Sequence, residues 1–470
     1  MPLKTLAALV LGLFLVGEGR AATRPNIVFI TSDDHRWDAL GAAGNRAVLT
    51  PALDRLVADG VYFRQATVHV SQCLPSRATL LTGLTAHQHG ALSHAFQRPE
   101  AMRRDAWSDL PTLPGLLRQA GYSTVLVGKW HLEADPWKAG FSRVERWLPS
   151  GGALYKDPEL ARGESREMVE MKGFTQEIFA EDAIAFLTSG EAKAKPFFLW
   201  LAFTAPHHSF GPNPSHVEAH YKGKSVAELL PAGFPGNIPM NDWLHYYESV
   251  TALDEQVGRV REALAKAGLA DNTVLVFLGD NGFMMGQRGV GAEGTAGKAV
   301  PYEGSVRVPL IIQGLPGQPA VTDLPASTLD VPPTLLRLAG VEPPASWPGR
   351  DFLAALRKAP GAPLEDAFLE WADESGGRFQ PFRSVRTPRH KLIVWKEPGK
   401  PDELYDLTAD PAEEKNLIAD PAAKPVREDL EARLWRWLEK TADPAREWPK
   451  LAKTEAEPKA RKVGAETPQL

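Results

Sequence analysis

Asn26-Ile27-Val28-Phe29-Ile30, running straight into Thr31-Ser32-Asp33-Asp34, is the stretch that decides the fold. Its first part is a continuous apolar, β-branched run without polar alternation, the mark of a strand buried on both faces. Its second part turns abruptly polar, so the strand delivers Thr31 to Asp34 at its carboxyl tip. The pattern recurs at Thr273–Leu278, which ends in Gly279-Asp280-Asn281-Gly282. It recurs again at Ser123–Val127, just before Gly128-Lys129-Trp130-His131, and at Phe197–Phe203, just before Thr204-Ala205-Pro206-His207. Helical patterns lie between these strands, at Pro51–Asp59, Leu113–Ala120, Glu177–Leu187 and Tyr246–Ala267. Such alternation predicts an α/β fold, a mostly parallel sheet covered by helices on both faces. Ligands in these sheets gather at the carboxyl ends of the strands, where all four polar clusters sit.

Outward from this core, 470 residues are enough for one large core and a smaller second unit. With 53 basic against 58 acidic side chains the formal charge is −5, which excludes the global positive field of a nucleic-acid-binding protein. An anionic substrate therefore has to be attracted locally. Lys4, the apolar run Leu6–Val16 and the small residues Ala21 and Ala22 form the layout of a secretory signal peptide over residues 1–22. The run is shorter than the roughly 20 residues of a spanning helix. The expectation is cleavage near Ala21 or Ala22, a periplasmic or secreted protein, and no membrane attachment afterwards. A catalytic unit is expected over 23–350. The Pro-rich stretch Val341–Pro363 marks the boundary of a smaller unit over 351–449, with short strands around Phe382–Val394 and a helix near Val426–Thr441. Residues 450–470, rich in Lys, Glu, Ala and Pro, read as a disordered tail.

Export to an oxidising compartment invites disulfides, yet Cys73 is the only cysteine and has no internal partner. It stands in Ser71-Gln72-Cys73-Leu74-Pro75-Ser76-Arg77-Ala78-Thr79-Leu80-Leu81-Thr82-Gly83. Pro75 suits the first turn of a helix and Gly83 its end. That puts Cys73 at or just before a helix N-terminus, where free N–H groups and the dipole favour an anion. Taken alone, such a cysteine is more often a small buried hydrophobe. Asp33 and Asp34 alone read equally as a solvated turn or as half of a hard-cation site, to which Asp280 and Asn281 would add oxygens from a second strand tip. Asp280-Asn281-Gly282 also makes ordinary turns. Lys129 and His131 project to one side if strand geometry continues past Gly128, the period being two.

Cys73-Leu74-Pro75-Ser76-Arg77 followed by Ala78-Thr79-Leu80-Leu81-Thr82-Gly83 closely resembles the signature of the formylglycine-dependent type I sulfatases of the alkaline phosphatase superfamily. Gly128-Lys129-Trp130-His131-Leu132, Tyr302–Pro309, Thr328–Leu335 and Glu403–Leu407 resemble further landmarks of that family, so the likeness spans residues 26 to 417. The resemblance implies a large mixed, mostly parallel sheet flanked by helices, with a smaller C-terminal α+β domain on an antiparallel sheet. It implies a sulfuric ester hydrolase whose Cys73 is converted to formylglycine by a formylglycine-generating enzyme during maturation. The aldehyde hydrates to a geminal diol; one oxygen attacks sulfur and the other later expels sulfate. One Ca2+ is implied, with Asp33, Asp34, Asp280, Asn281 and the modified Cys73 as ligands; Mg2+ asks for tighter octahedral geometry and Zn2+ for more histidine. Lys129 is implied to bind sulfate and His131 to assist the diol. His207, or failing that His208, and Lys298 are implied to contact the sulfate and its ester oxygen, one of them protonating the departing alkoxide. Arg77 is implied to hydrogen-bond the modified residue and to offset the acidic metal shell. On this assignment the carboxylates of Asp33, Asp34 and Asp280 face a divalent cation plus Lys129, Lys298 and Arg77. Such a site is net positive and holds a sulfate despite the acidic chain.

Two departures from the family pattern bear on the substrate: Arg288, where many relatives carry histidine, and Glu133 directly after Leu132, where many carry glycine. Sulfated carbohydrate is the expected substrate, with Trp37, Trp130, Trp137 and Trp147 in segments that rim the site and stack on sugar faces, although tryptophans more often fill cores. Two rival readings stand beside it. One is a phosphonate monoester hydrolase or phosphodiesterase of the same superfamily, because a metal-bound oxygen nucleophile also attacks phosphorus. The other is a catalytically silent protein that binds sulfated glycans.

Overall fold

The computed structural model describes residues 24–93, 109–132, 135–230, 240–291, 297–315, 317, 319–356, 366–372 and 380–452. The expected signal peptide, Glu133 and residues 453–470 of the expected tail lie outside them. The strands in chain order are β1 (Asn26–Ser32), β2 (Gly60–Phe63), β3 (Ala66–Thr67), β4 (Ser123–Lys129), β5 (Arg143–Leu148), β6 (Glu159–Arg162), β7 (Val169–Glu170) and β8 (Phe197–Ala202). They continue as β9 (Thr273–Gly279), β10 (Leu310–Gln313), β11 (Ala320–Thr322), β12 (Ala326–Ser327), β13 (Ala367–Trp371), β14 (Phe382–Arg386), β15 (His390–Trp395) and β16 (Glu403–Asp406).

Ten strands form one sheet in the order β11-β2-β10-β9-β1-β8-β4-β5-β6-β7. Its centre, β9-β1-β8-β4, consists of the four strands expected from the sequence, all parallel and buried along their whole length. The antiparallel strand β10 beside β9 makes the sheet mixed. Alternate side chains of each central strand enter opposite cores, as the two-residue period requires. Ile27, Phe29 and Leu126 pack on one face with the helices Cys73–Thr82, Leu113–Gln119 and Val331–Leu338. Val28, Ile30, Val125 and Val127 pack on the other with the helices Thr175–Leu187 and Met240–Lys266. The last of these begins at Met240 rather than at the expected Tyr246. Among the described residues no helix is long and apolar enough to cross a membrane.

The register levels the carboxyl tips. Ser32 lies opposite Gly279, and Thr31 and Gly128 both lie opposite Ala202. Gly128 has φ +95°, and a Cβ there would stand 2.1 Å from the backbone oxygen of Ala202. Gly128→Ala is therefore expected to destabilise the fold by about 3 kcal/mol or more, from left-handed strain and overpacking together, read as a lower urea midpoint.

The strands β13-β14-β15-β16 form a separate antiparallel sheet. The helix Lys424–Lys440 covers it through Leu430, Leu434 and Leu438, which meet Val385, Leu392 and Val394. Buried ion pairs tie this unit to the large sheet. Glu303 accepts from Arg386 Nε and Nη2 at 2.9 and 2.8 Å and from Lys391 Nζ at 3.0 Å. Elsewhere on the seam, His87 Nδ1 lies 2.7 Å from Glu370, while within the C-terminal unit Arg383 grips Asp443 at 2.6 and 2.8 Å.

Candidate active site

The level tips bring polar side chains to one place. Asp33 and Asp34 follow β1, Asp280 and Asn281 follow β9, Lys129 closes β4, and His207 follows β8 on a short loop. Cys73 opens the helix Cys73–Thr82, all of whose residues are buried. Gly83 ends that helix at φ +65°, its N–H closing on the Thr79 carbonyl, so Cys73 is held at the N-terminus of a short rigid rod.

The cations face the acids directly. Lys129 Nζ donates to Asp33, and Lys298 Nζ donates to Asp34 Oδ1 at 2.7 Å while lying 3.5 Å from Cys73 Sγ. Arg77 Nε makes an ion pair with Asp280 Oδ2 at 2.8 Å, and its Nη1 donates to the Lys129 carbonyl at 2.8 Å. Asn281 Nδ2 donates to Asp34 Oδ1 at 2.5 Å. His131 hydrogen-bonds Cys73. His207 Nε2 stands 3.9 Å from Asp34 Oδ2, while its Nδ1 sits 2.6 Å from the His208 carbonyl. His208 itself is exposed and turned onto Phe210, which makes His207 the member of the pair at the site. All ten expected site residues are thus brought together.

Four oxygens stand out: Asp33 Oδ1, Asp34 Oδ2, Asp280 Oδ1 and Asn281 Oδ1 are buried, and no hydrogen bond reaches any of them. Orphaned buried oxygens are costly. Several carboxylate and amide oxygens converging from two strand tips are the donor set that a hard divalent cation takes. Asp33, Cys73 and His207 also present potential ligand atoms within 4.8 Å of one another.

The electrostatics follow from this crowding. Burial pushes the Cys73 thiol up, but Lys129, Lys298 and His131 outweigh it and hold the thiol well below its usual range. Burial likewise raises the Asp33 carboxyl, and Lys129 with His207 and Lys298 overcomes it, so Asp33 stays below the usual carboxylate range. Burial and the neighbouring Asp33 push Asp280 well above that range despite Arg77. Burial works against a charged Lys298, but Asp34, Cys73 and Asp33 keep it protonated.

Several sequence expectations need correction. The strand does not continue past Lys129, and His131 takes a left-handed φ of +54°; it meets Cys73 through that turn, not through strand periodicity. Trp130 and Trp147 do not rim the site: both are buried in the core, Trp130 just past the end of β4 against Phe141 and Trp200, and Trp147 on β5. Trp137 stacks edge-on against Trp147, and Trp37 lies under the Arg307 guanidinium at 3.8 Å. Arg288 is tethered to the C-terminal unit, donating to the Glu413 carbonyl and lying 4.1 Å over the Tyr302 ring. Sequence reasoning missed Gly151 and Gly152. A Cβ on the first would fall 2.6 Å from His131 Nε2, and one on the second 3.7 Å from His207. It missed Tyr155 as well, whose hydroxyl donates to the His207 carbonyl at 2.6 Å. The Gly151-Gly152 pair was the one local signal, small residues where two histidines approach a backbone.

Comparison with known proteins adds to this geometry. A profile of the sulfatase family matches residues 25–341, and one described as the C-terminal part of N-sulphoglucosamine sulphohydrolase matches residues 291–440. The chain is 29% identical over 437 residues to an ulvan-active sulfatase of Formosa agariphila, covering 90% of this chain and 82% of that one. It is 28% identical over 503 residues to an N-acetylglucosamine-6-O-sulfatase of Bacteroides thetaiotaomicron, covering 88% and 86%. It superposes with a TM-score of 0.74, at 25% identity, on a protein solved with its substrate D-glucosamine-2-N,6-O-disulfate, covering 90% of this chain and 99% of that one.

Proposed function

The chain belongs to the sulfatase family and is a sulfuric ester hydrolase, and from that premise we propose that it desulfates carbohydrates using a formylglycine made from Cys73 and a bound Ca2+. The observation that carries the reading is the convergence of Lys129, Lys298 and His131 on Cys73 beside four undonated oxygens. Formylglycine supplies a diol oxygen as nucleophile toward sulfur, and Ca2+ supplies positive charge for the sulfate oxygens.

The chain's own residues do the rest. Asp33, Asp34, Asp280 and Asn281 would hold the cation, a set of hard oxygens that suits Ca2+ better than Zn2+. Lys129 and Lys298 place positive charge where a sulfate beside Cys73 rests, and the helix N–H groups add to it. Arg77 neutralises Asp280 and pins the tip of β4 through the Lys129 carbonyl. His131 exchanges a proton with the residue at position 73. His207 presents Nε2 to the site from a ring fixed by the His208 carbonyl, and His207 or Lys298 passes a proton to the departing alkoxide.

Sulfated carbohydrate as the substrate class is supported by the named activities of the two relatives and by the ligand of the solved neighbour. The leader-like residues 1–22 support export to the periplasm or beyond, and conversion of Cys73 requires a formylglycine-generating enzyme as a partner. The tryptic peptide Gln65–Arg77 from protein made in its native host is expected to carry an aldehyde or its hydrate at Cys73 by mass spectrometry. An unmodified thiol in active exported protein overturns the mechanism. Faster turnover of an aryl phosphate than of the matched aryl sulfate overturns the reaction class in favour of a phosphonate or phosphodiester hydrolase.

Chelation supplies a readout independent of turnover. Adding EDTA is expected to lower Tm by several degrees, and excess Ca2+ to restore it, since a ligand bound only by the folded state stabilises that state. A Tm indifferent to both removes the cation from the account.

A further inference from the structure

We propose that a cleft on the seam between the two sheets, remote from Cys73, is a second binding site for a sulfated carbohydrate chain. The cleft has a volume of about 380 Å³. It lies beyond the far end of the Cys73–Thr82 helix. The Gly83 α-carbon that ends that helix abuts the Trp347 indole, and Pro348, the next residue, lines the cleft. Ten residues of helix separate it from Cys73 by about 15 Å.

The charge of the cleft is unbalanced. Arg350 is matched by Asp330 at 2.9 Å, and Arg433 lies between Asp366 at 3.1 Å and Asp429, outside the lining, at 2.8 Å. Among the lining residues these four charges cancel. Arg436 and Lys440 also line the cleft, one helical turn apart on Lys424–Lys440. Both are exposed, and among the described residues neither has a carboxylate partner; Lys440 Nζ donates to the Pro348 carbonyl at 3.2 Å and lies 5.5 Å over the Trp437 ring. A local excess of positive charge in a chain of net charge −5 marks a place for an anion. The planar guanidinium of Arg436 matches a sulfate oxyanion with paired hydrogen bonds.

The apolar part of the lining suits a sugar. Phe368 and Trp437 stack face to face with centroids 4.4 Å apart and planes 3° apart, forming a rigid aromatic wall beside the two cations that lack a carboxylate. Aromatic carbon next to cationic nitrogen is the combination that takes a sugar ring carrying sulfate. The proposal rests on the reading that the substrate is a sulfated carbohydrate, and extends it to a polymer. A chain held here and at Cys73 together gains effective concentration at the catalytic centre, while a single sulfated ring gains nothing.

The test compares wild type, R436A/K440A and the charge-preserving R436K/K440R, all as full mature protein. Titration calorimetry with dextran sulfate, and unsulfated dextran as control, measures binding; turnover of an aryl sulfate measures the catalytic centre. R436A/K440A is expected to bind dextran sulfate about tenfold more weakly, R436K/K440R to keep most of the affinity, and all three to turn over the aryl sulfate alike. Equal binding of dextran sulfate by R436A/K440A and wild type overturns the proposal. So does loss of aryl sulfate turnover in R436A/K440A, because the cleft is then not separate from catalysis. Wild type that binds dextran sulfate through these residues but hydrolyses no sulfate ester leaves the cleft standing and refutes the catalytic reading instead.

Discussion

Cys73→Ala is expected to remove sulfate ester turnover, with kcat lowered by roughly 10³-fold or more, as loss of a covalent nucleophile does, while the protein still folds. The two halves of this expectation come from different observations. Cys73 is 0% exposed and small, and alanine deletes only its sulfur from a helix otherwise packed around its whole circumference. The lost contacts are the Lys298 approach at 3.5 Å and the His131 hydrogen bond. Lys298 keeps Asp34 and Lys129 keeps Asp33, so no buried charge is stranded. A stability change of about 1 kcal/mol or less follows. Turnover of an aryl sulfate and a thermal melt on the same preparation check both halves. Activity within tenfold of wild type would show that residue 73 is not the nucleophile.

The second large effect concerns stability rather than chemistry. Glu303→Gln is expected to cost about 3–5 kcal/mol, the penalty for breaking a buried ion pair from one side. Glu303 is buried between the two sheets, and its carboxylate takes two bonds from Arg386 and one from Lys391. Lys391 would keep Glu413 at 2.5 Å, but Arg386, also buried, would keep only neutral partners such as Gln65 at 2.6 Å. Burial raises the Glu303 carboxyl, yet Arg386 and Lys391 outweigh it and hold it well below the usual carboxylate range. A depressed carboxylate contributes stability that is complete above its unfolded pKa and lost as pH falls through the folded one. Urea melts should therefore show the full gap between wild type and E303Q at pH 7, beginning to narrow as pH falls past about 4.5 and closing as it passes the depressed folded pKa. A gap under about 1 kcal/mol at pH 7 would mean that the seam does not depend on this pair.

Glu303 also illustrates what the sequence shows and what it hides. The central strands were legible because each is buried on both faces and so appears as an unbroken apolar run. The edge strands were not: β7 and β11 are two and three residues long and largely exposed, and leave no pattern to find. The site was legible where four such strands ended in polar residues, and its membership came from the resemblance around Cys73 and Gly128. Glu303 stood inside one of the resembling stretches, but its partners lie 83 and 88 residues away, beyond the reach of any local signal. A separation of 60 residues likewise hid the grip of Arg383 on Asp443. The turn at His131 was missed because a histidine at φ +54° looks in sequence like any other residue after a strand.

The helix that begins at Cys73 fixes an order of events. With its sulfur wholly enclosed and the surrounding rod packed on all sides, position 73 is out of reach of any second enzyme once the chain has closed over it. On the proposed mechanism, conversion of this residue is then expected to precede folding, in the interval when the segment is still extended. Protein that folds first is expected to stay in the thiol form, with the converting enzyme supplied later giving no activity until the chain is unfolded and refolded.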